Sequence, residues 1–417
     1  MNKFGFIIWY FAVITVLEII SYMLVHHLRK KFQWFITPLD YYPVIDKRGL
    51  AKFIEHGYDS ELGWVRKPGT EKEEIGKYGK TKYHINEAGH RKNPGHEVLP
   101  VEISCYGDSF VFARQVNDNE TFSWYLSEIT KTNVLNFGVG NYGLDQAFLR
   151  LKREYKTNRT RIVIMGVVPS TIVRILCVWK HYNEFGNIFG FKPRFMIEDG
   201  NIKLIKNIID EEGKFESYRE FLNEINCYDE FYNTKFKREM IHFPYFISIL
   251  SNPLRNFPLL AMVAWHRWFG EWGKDQTYPS PMSIIMKTNL KLREQLFLTN
   301  KNAVELLERL VIEFALYGKE NNFIPIFLWM PQKDDLIHIK RNTNYYRGFI
   351  ESLKEKIITI DLTDELINRY DLDELYSEDN HYGGHFSKQG NLLIAGIIYR
   401  NLVENNVLRK QRYYNEQ

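Results

Sequence analysis

Cysteine is scarce here: three in 417 residues, at Cys105, Cys177 and Cys227. That number and spacing exclude a disulfide framework and a thiolate metal cluster, so the three read as small apolar residues. Charge of one sign is also scarce. A formal +4, with basic residues only in short clusters such as Arg29-Lys30-Lys31, gives no basic stripe and excludes nucleic acid as a partner. Internal repeats and low-complexity tracts are absent. Gly138, Gly140 and Gly143 lack the spacing and downstream acid of a dinucleotide fingerprint, so no nicotinamide site or other cofactor is expected. His381 and His385 have ligand-like spacing, but no further ligand cluster accompanies them, so no metal site is expected.

What the chain does have is apolar and aromatic bulk. Apolar residues make up 45% of it and aromatics 15%, enough to fill a large core and line a groove. From Phe4 to Val25 the sequence is almost wholly apolar, broken by Glu18. About 20 such residues cross a bilayer as a helix, and no small-residue cleavage site marks a removable signal. The expectation is a single-pass anchor over residues 1–30, with Glu18 facing a partner helix or one interface. Arg29, Lys30 and Lys31 follow the span, and by the positive-inside rule they put the large domain on the cytoplasmic side.

Residues 31–98 read as a linker with Pro38 and Pro43, followed by short strands and turns. From residue 99 onward, apolar strand-like runs alternate with helical periodicity. Strands are expected at 101–106, 133–139, 161–168, 324–330 and 357–362, and helices at 120–129, 145–155, 302–321 and 387–405. This pattern predicts an α/β three-layer sandwich with a central parallel sheet. Between about 185 and 300 the periodicity is lost over a stretch too long for a simple loop. It reads as an insertion: a lid, subdomain or partner surface. Its aromatic helix candidate at 257–272, with Trp265, Trp268 and Trp272, suits core packing, membrane-interface seating or sugar stacking.

Three segments fall at the carboxyl ends of the expected strands, where open parallel sheets bind ligands. In Cys105-Tyr106-Gly107-Asp108-Ser109-Phe110, a serine on a tight turn before a helix has the exposure a nucleophile needs. Asn136-Phe137-Gly138-Val139-Gly140-Asn141-Tyr142-Gly143 is a glycine-rich loop whose backbone N–H groups suit an anion. Near the carboxyl terminus, Asn380-His381-Tyr382-Gly383-Gly384-His385-Phe386-Ser387 sets a histidine just before the last helix, placed to act as general base. Arg174, His181 and Lys192-Pro193-Arg194 bring basic residues near the expected groove, and Asp108 and His381 are candidates to line it.

Gly107-Asp108-Ser109-Phe110, Asn136-Phe137-Gly138-Val139-Gly140 and the His-Phe-Ser-x-x-Gly-Asn run from His385 to Asn391 resemble, in order and setting, the SGNH/GDSL hydrolase superfamily. The resemblance covers roughly Glu102 to Val403, with the middle region as an insertion. It implies Ser109 as nucleophile and oxyanion donor, His385 as base, and backbone donors at Gly140 and Asn141. The membrane-anchored build resembles the branch that includes bacterial polysaccharide O-acetyltransferases and esterases, which implies an extracytoplasmic domain, against the charge flanks.

Two departures stand out. The superfamily's Gly-x-Asn after the third strand is replaced by Gly166-Val167-Val168-Pro169-Ser170-Thr171, so Ser170 or Thr171 would have to supply the third donor. The acid three positions before the histidine is replaced by Tyr382, leaving Asp379 or a backbone carbonyl to orient His385. The expected function is a serine-dependent esterase or O-acyltransferase, acting through an acyl-serine on an acetyl ester of a surface glycan or lipid. Its expected partners are that acylated substrate, the membrane and a membrane acyl-donor protein. The alternative is a catalytically degenerate domain that binds or positions a polysaccharide in a membrane complex.

Overall fold

The computed structural model describes residues 3–29, 35–268, 281–369, 371–378 and 383–409. Runs of apolar, largely β-branched residues form five strands: β1 (Val101–Gly107), β2 (Asn133–Asn136), β3 (Ile162–Val167), β4 (Ile324–Trp329) and β5 (Ile358–Asp361). The helices include α1 (Lys3–Arg29), α2 (Phe122–Thr130), α3 (Leu144–Glu154), α4 (Tyr245–Ser251), α5 (Pro253–Trp268), α6 (Lys301–Asn321) and α7 (Lys388–Glu404).

The strands make one parallel sheet in the order β5-β4-β3-β1-β2. Pleating sends alternate residues to opposite faces. Ile103 and Cys105 of β1, Ile162 and Ile164 of β3, and Ile326 and Leu328 of β4 meet Leu126 of α2 and Ile394 and Ile398 of α7 in one core. Tyr106, Val163, Met165 and Phe327 are buried on the other face, where α3 lies by β1 and α6 by β4. Each fully buried aliphatic side chain contributes about 1.5–3 kcal/mol. The result is the expected three-layer α/β sandwich. After β1 the chain moves to β2 on one side and then returns to β3 on the other. The loops leaving β1 and β3 therefore diverge and open a crevice at the carboxyl ends.

The chain forms two compact units. The sheet unit comprises Lys52–Leu176, Lys192–Asp210 and Leu290–Gln417. Residues 52–98, expected to precede the α/β domain, are part of it. Their hairpin pairs Glu71–Gly76 with Gly79–His84, and the Arg91 N–H donates to the Asn136 carbonyl at 2.9 Å.

The other unit comprises Met1–Ala51, Cys177–Phe191 and Glu211–Asn289, so the N-terminal helix joins most of the insertion. Helix α1 is long and apolar enough to cross a membrane. Phe4, Phe6, Ile7, Ile8, Trp9 and Phe11 are all at least half exposed, while Val25 and Leu28 pack with Ile249, Leu259 and Met262. In the same unit Trp179 stacks on Phe191 with ring centroids 4.9 Å apart. His181, expected near a groove, is a core residue. Its Nε2–H donates to the Asp40 carbonyl at 3.0 Å and its Nδ1 accepts from the Gly186 N–H at 3.3 Å, and burial pushes its pKa down to about 4. The side chains of Trp265 and Trp268, and all of Trp272, lie outside the described residues.

Candidate active site

Strand β1 ends at Gly107, where a side chain is sterically excluded: a Cβ would lie 2.0 Å from the Gly166 carbonyl oxygen on β3. The turn beyond it is held by Asp108. One carboxylate oxygen accepts the Phe110 N–H at 2.8 Å, and the other accepts the Val168 N–H at 3.1 Å and Arg174 Nη1–H at 3.0 Å. Burial raises the pKa of this carboxyl against the opposing pull of Arg174. Asp108 and Arg174 were expected to line a substrate groove, but the Asp108 side chain is fully buried and that of Arg174 nearly so. Both are spent on fixing the turn that carries Ser109. Lys192 and Arg194 are likewise interior, bonded to Asp145 at 2.5 Å and to the Leu176 carbonyl at 2.9 Å.

Ser109 and His385 are brought together from opposite ends of the chain, with Ser109 Oγ 2.8 Å from His385 Nε2. The approach of His385 depends on Gly383 and Gly384, at φ +74° and +64°. Left-handed backbone at two successive positions favours glycine strongly, and a Cβ on Gly384 would lie 2.3 Å from Ser377 Oγ. Ser387 then caps α7, its side chain accepting the Gly390 N–H, and the imidazole packs against Phe110 with centroids 4.8 Å apart.

The partner of His385 Nδ1 is Gln115, whose Oε1 lies 2.9 Å away. The same atom faces the backbone N–H of His385 at 3.0 Å and the Ser377 hydroxyl at 2.7 Å. A backbone N–H can only donate, so the amide atom it meets is the oxygen. Nδ1 must then carry the proton, which leaves Nε2 as the acceptor facing Ser109. Gln115 Nε2–H₂ donates to the Ile75 carbonyl at 3.2 Å and to Glu378 at 3.4 Å. Among the described residues, the group that meets Nδ1 is thus the Gln115 amide oxygen, where the sequence led one to expect Asp379 or a backbone carbonyl. Asp379, Tyr382 and His381 lie outside the described residues.

Gln115 reaches this position through a turn with Ala113 and Gln115 at φ +58° and +66°, conformations that cost about 1–3 kcal/mol each. Arg91 offsets that cost. Its guanidinium donates to the carbonyls of Phe112 at 2.8 Å, Ala113 at 2.6 Å and Val116 at 2.7 Å, and to Asp118 at 2.8 Å. Glu74 adds a bond from the Gln115 N–H at 3.2 Å and an ion pair with Arg114 at 2.8 Å. Burial, together with the cations of Arg114, Arg174 and Arg66, holds the His385 pKa well below the usual imidazole range. The ring is neutral at physiological pH and able to accept a proton.

Beside the serine runs the loop after β2. Gly138 lies against the Val111–Phe112 backbone, and its N–H is taken by Asn136 Oδ1 at 3.0 Å. The Val139 N–H bonds the Gly107 carbonyl at 3.0 Å. The Gly140 carbonyl accepts Trp64 Nε1–H at 2.9 Å, which fixes the peptide to the exposed Asn141 at φ +65°. Among the described residues, no acceptor takes the N–H of Ser109 or of Gly140. Neither N–H is engaged there, so both are free to donate to an anion.

Of the expected third donors, the Ser170 hydroxyl hydrogen bonds Gln332 Oε1, and Thr171 Oγ1 accepts the Leu144 N–H at 2.9 Å. Near Gly140 lies Arg66, which the sequence did not single out. Its guanidinium sits 3.8 Å from the Phe112 ring centroid and bonds Tyr83. Nη2 is 3.8 Å from where a Gly140 Cβ would be. Arg66 has no carboxylate ion-pair partner among the described residues, and burial lowers its pKa to about 10. No group of three His, Cys, Asp or Glu able to hold a metal ion occurs among the described residues.

No protein-family model matches the chain, and no curated protein does. Among solved structures, the chain is similar to a protein from Desulfitobacterium hafniense DCB-2 described as lipolytic and of the G-D-S-L family. The identity is 14%, over 72% of this chain and 99% of that one, with a TM-score of 0.31. A second solved structure is 12% identical over 73% of this chain and 97% of its own, with a TM-score of 0.33.

Proposed function

We propose that this protein is a serine-dependent ester hydrolase or O-acyltransferase of SGNH type, held at a membrane by α1. The observation that carries the reading is the Ser109–His385 contact of 2.8 Å, with the imidazole tautomer fixed by Gln115. Ser109 Oγ attacks the ester carbonyl carbon as its proton passes to His385 Nε2. The carbonyl oxygen becomes an oxyanion facing the N–H groups of Ser109 and Gly140, with the Arg66 charge nearby. Collapse expels the alkoxide, which takes the proton back from His385 and leaves an acyl-serine. Water or a sugar hydroxyl then attacks the acyl carbon, with the same proton relay, and frees Ser109. The acyl group proposed is acetyl, on a surface glycan or lipid, which is what the resemblance in sequence implies.

A second reading keeps the fold and drops turnover. Gln115 favours it, since a neutral amide orients the imidazole without stabilising the imidazolium that catalysis forms. A fluorophosphonate probe separates the two. Activated Ser109 becomes covalently labelled in the wild-type chain, and Ser109→Ala and His385→Ala abolish labelling and p-nitrophenyl acetate hydrolysis. Absence of labelling in the folded wild-type chain refutes the enzyme reading in favour of the binding one.

A further inference from the structure

Glu18 is the single acidic or basic residue between Phe4 and Val25. Its two carboxylate oxygens accept the backbone N–H groups of Tyr245 at 2.6 Å and Phe246 at 2.9 Å, the start of α4. Tyr22 and His26, one and two turns further along α1, pack edge-on against the Tyr245 ring with centroids 5.4 and 5.7 Å apart. The beginning of α4 is therefore pinned to α1 at the level of Glu18. At 1.5 Å per residue, that level lies about 10 Å inside the Val25 end of the apolar stretch. Any bilayer that holds α1 over its apolar length also holds the first turn of α4 within its hydrocarbon.

The rest of the segment is built for that setting. Phe243, Ile247, Leu250, Leu254 and Phe257 are 70, 63, 44, 78 and 48% exposed. Of the polar residues there, Ser248, Arg255 and Asn256 are buried, Asn252 is half-buried, and exposed Ser251 donates its hydroxyl to the Ser248 carbonyl at 2.7 Å. Arg255 is buried and pairs with Glu239 at 3.3 Å, and the buried Asn256 amide donates to the Ile249 carbonyl at 3.1 Å. Apolar side chains outward and polar ones paired inward is the reverse of a water-facing surface. The Glu18 carboxylate, costly alone in lipid, is met by two otherwise orphaned helix N–H donors.

We infer that residues 243–257 form a second membrane element, a short helical hairpin immersed in lipid beside α1. This goes beyond the catalytic reading and rests only on α1 lying in a bilayer. The unit that contains α1 then meets lipid through two elements, α1 and the hairpin.

The test uses the full chain in phosphatidylcholine–phosphatidylglycerol nanodiscs, with single spin labels at Ile247→Cys or Leu254→Cys in a Cys227→Ser background. Cys105 and Cys177 are buried, and exposed Cys227 in the wild-type chain serves as the aqueous reference. Ile8→Cys is the reference for the span. Collision with oxygen is compared with collision with a water-soluble nickel chelate. The expected result is an oxygen preference at 247 and 254 matching that at position 8, with nickel preference at Cys227. Nickel access at 247 and 254 equal to Cys227 overturns the inference. Shielding of both positions from both reagents also overturns it, because it assigns the face to a second copy of the chain. A water-accessible position 8 overturns it by removing its premise.

Discussion

Replacing Gln115 tests the mechanism where it departs most from a carboxylate-based triad. In Gln115→Ala the His385 Nδ1–H loses its 2.9 Å acceptor and the Ser377 hydroxyl loses its 2.7 Å acceptor. Each buried donor left unpaired costs about 1–3 kcal/mol. More important for rate, nothing then holds the proton on Nδ1. Since a positioned general base contributes about 10²–10⁴-fold, kcat is expected to fall by about 10²–10³-fold with KM little changed. Gln115→Glu alone would set a carboxylate against the Ile75 carbonyl and Glu378, where the amide now donates. Adding Glu378→Gln restores a donor to that contact. A carboxylate on Nδ1 favours the charged imidazolium and raises the His385 pKa by about 1–3 units. The base must be neutral to act, and in the wild-type site its pKa is held well below 6.5. The acid limb of kcat/KM therefore lies low in the wild-type chain and shifts upward in Gln115→Glu/Glu378→Gln. The assay is p-nitrophenyl acetate hydrolysis from pH 4.5 to 9. Wild-type kcat in Gln115→Ala, or an unmoved acid limb in the double variant, refutes the assignment of Gln115.

Gly384→Ala should abolish labelling of Ser109 while the far-ultraviolet dichroism is kept, because a Cβ at φ +64° and 2.3 Å from Ser377 Oγ forces the His385 backbone out. His181 is neutral in the folded chain with its pKa near 4, so the unfolded chain binds the extra proton as pH falls below about 6.5. Stability is thus complete above that range and is lost by about 2.5 kcal/mol on acidification to pH 4.5. Chemical denaturation at the two pH values should show a loss that is smaller in His181→Gln by about that amount, the remainder coming from other buried imidazoles such as His385.

Ser109 and His385 were legible because each sits in a local motif whose geometry is set by its neighbours, glycines above all. The sheet was legible because buried parallel strands read as continuous apolar runs; β3 and β4 are the plainest cases. Gln115 was not. It reaches the imidazole only because Ala113 and Gln115 take left-handed backbone, and nothing in Ala113-Arg114-Gln115 announces that. Arg66 was hidden for a different reason, since its place by the Gly140 loop comes from tertiary packing of an irregular segment. Asp108 and Arg174 show the opposite error: charged residues expected near Ser109 were read as facing substrate, whereas they face each other. The insertion was legible as a break in periodicity. Its attachment to α1 was not, because that depends on one carboxylate meeting two backbone N–H groups far along the chain.

The clasp made by Arg91 bears on how this site can change. Apart from Asp118, its hydrogen bonds go only to main-chain carbonyls of the 112–116 turn, and the one side chain of the turn it covers is the Phe112 ring, 4.7 Å from the guanidinium. Its grip is therefore indifferent to which side chain stands at position 115. The backbone that aims position 115 at the imidazole stays fixed, while the chemistry delivered there can be exchanged by a single codon. A neutral amide and a carboxylate become alternatives on one scaffold, with the identity of residue 378 as the compensating choice. In such a design, orientation of the base and the charge that supports it are inherited separately. The charge set against the imidazole can change without rebuilding the turn that holds the site together.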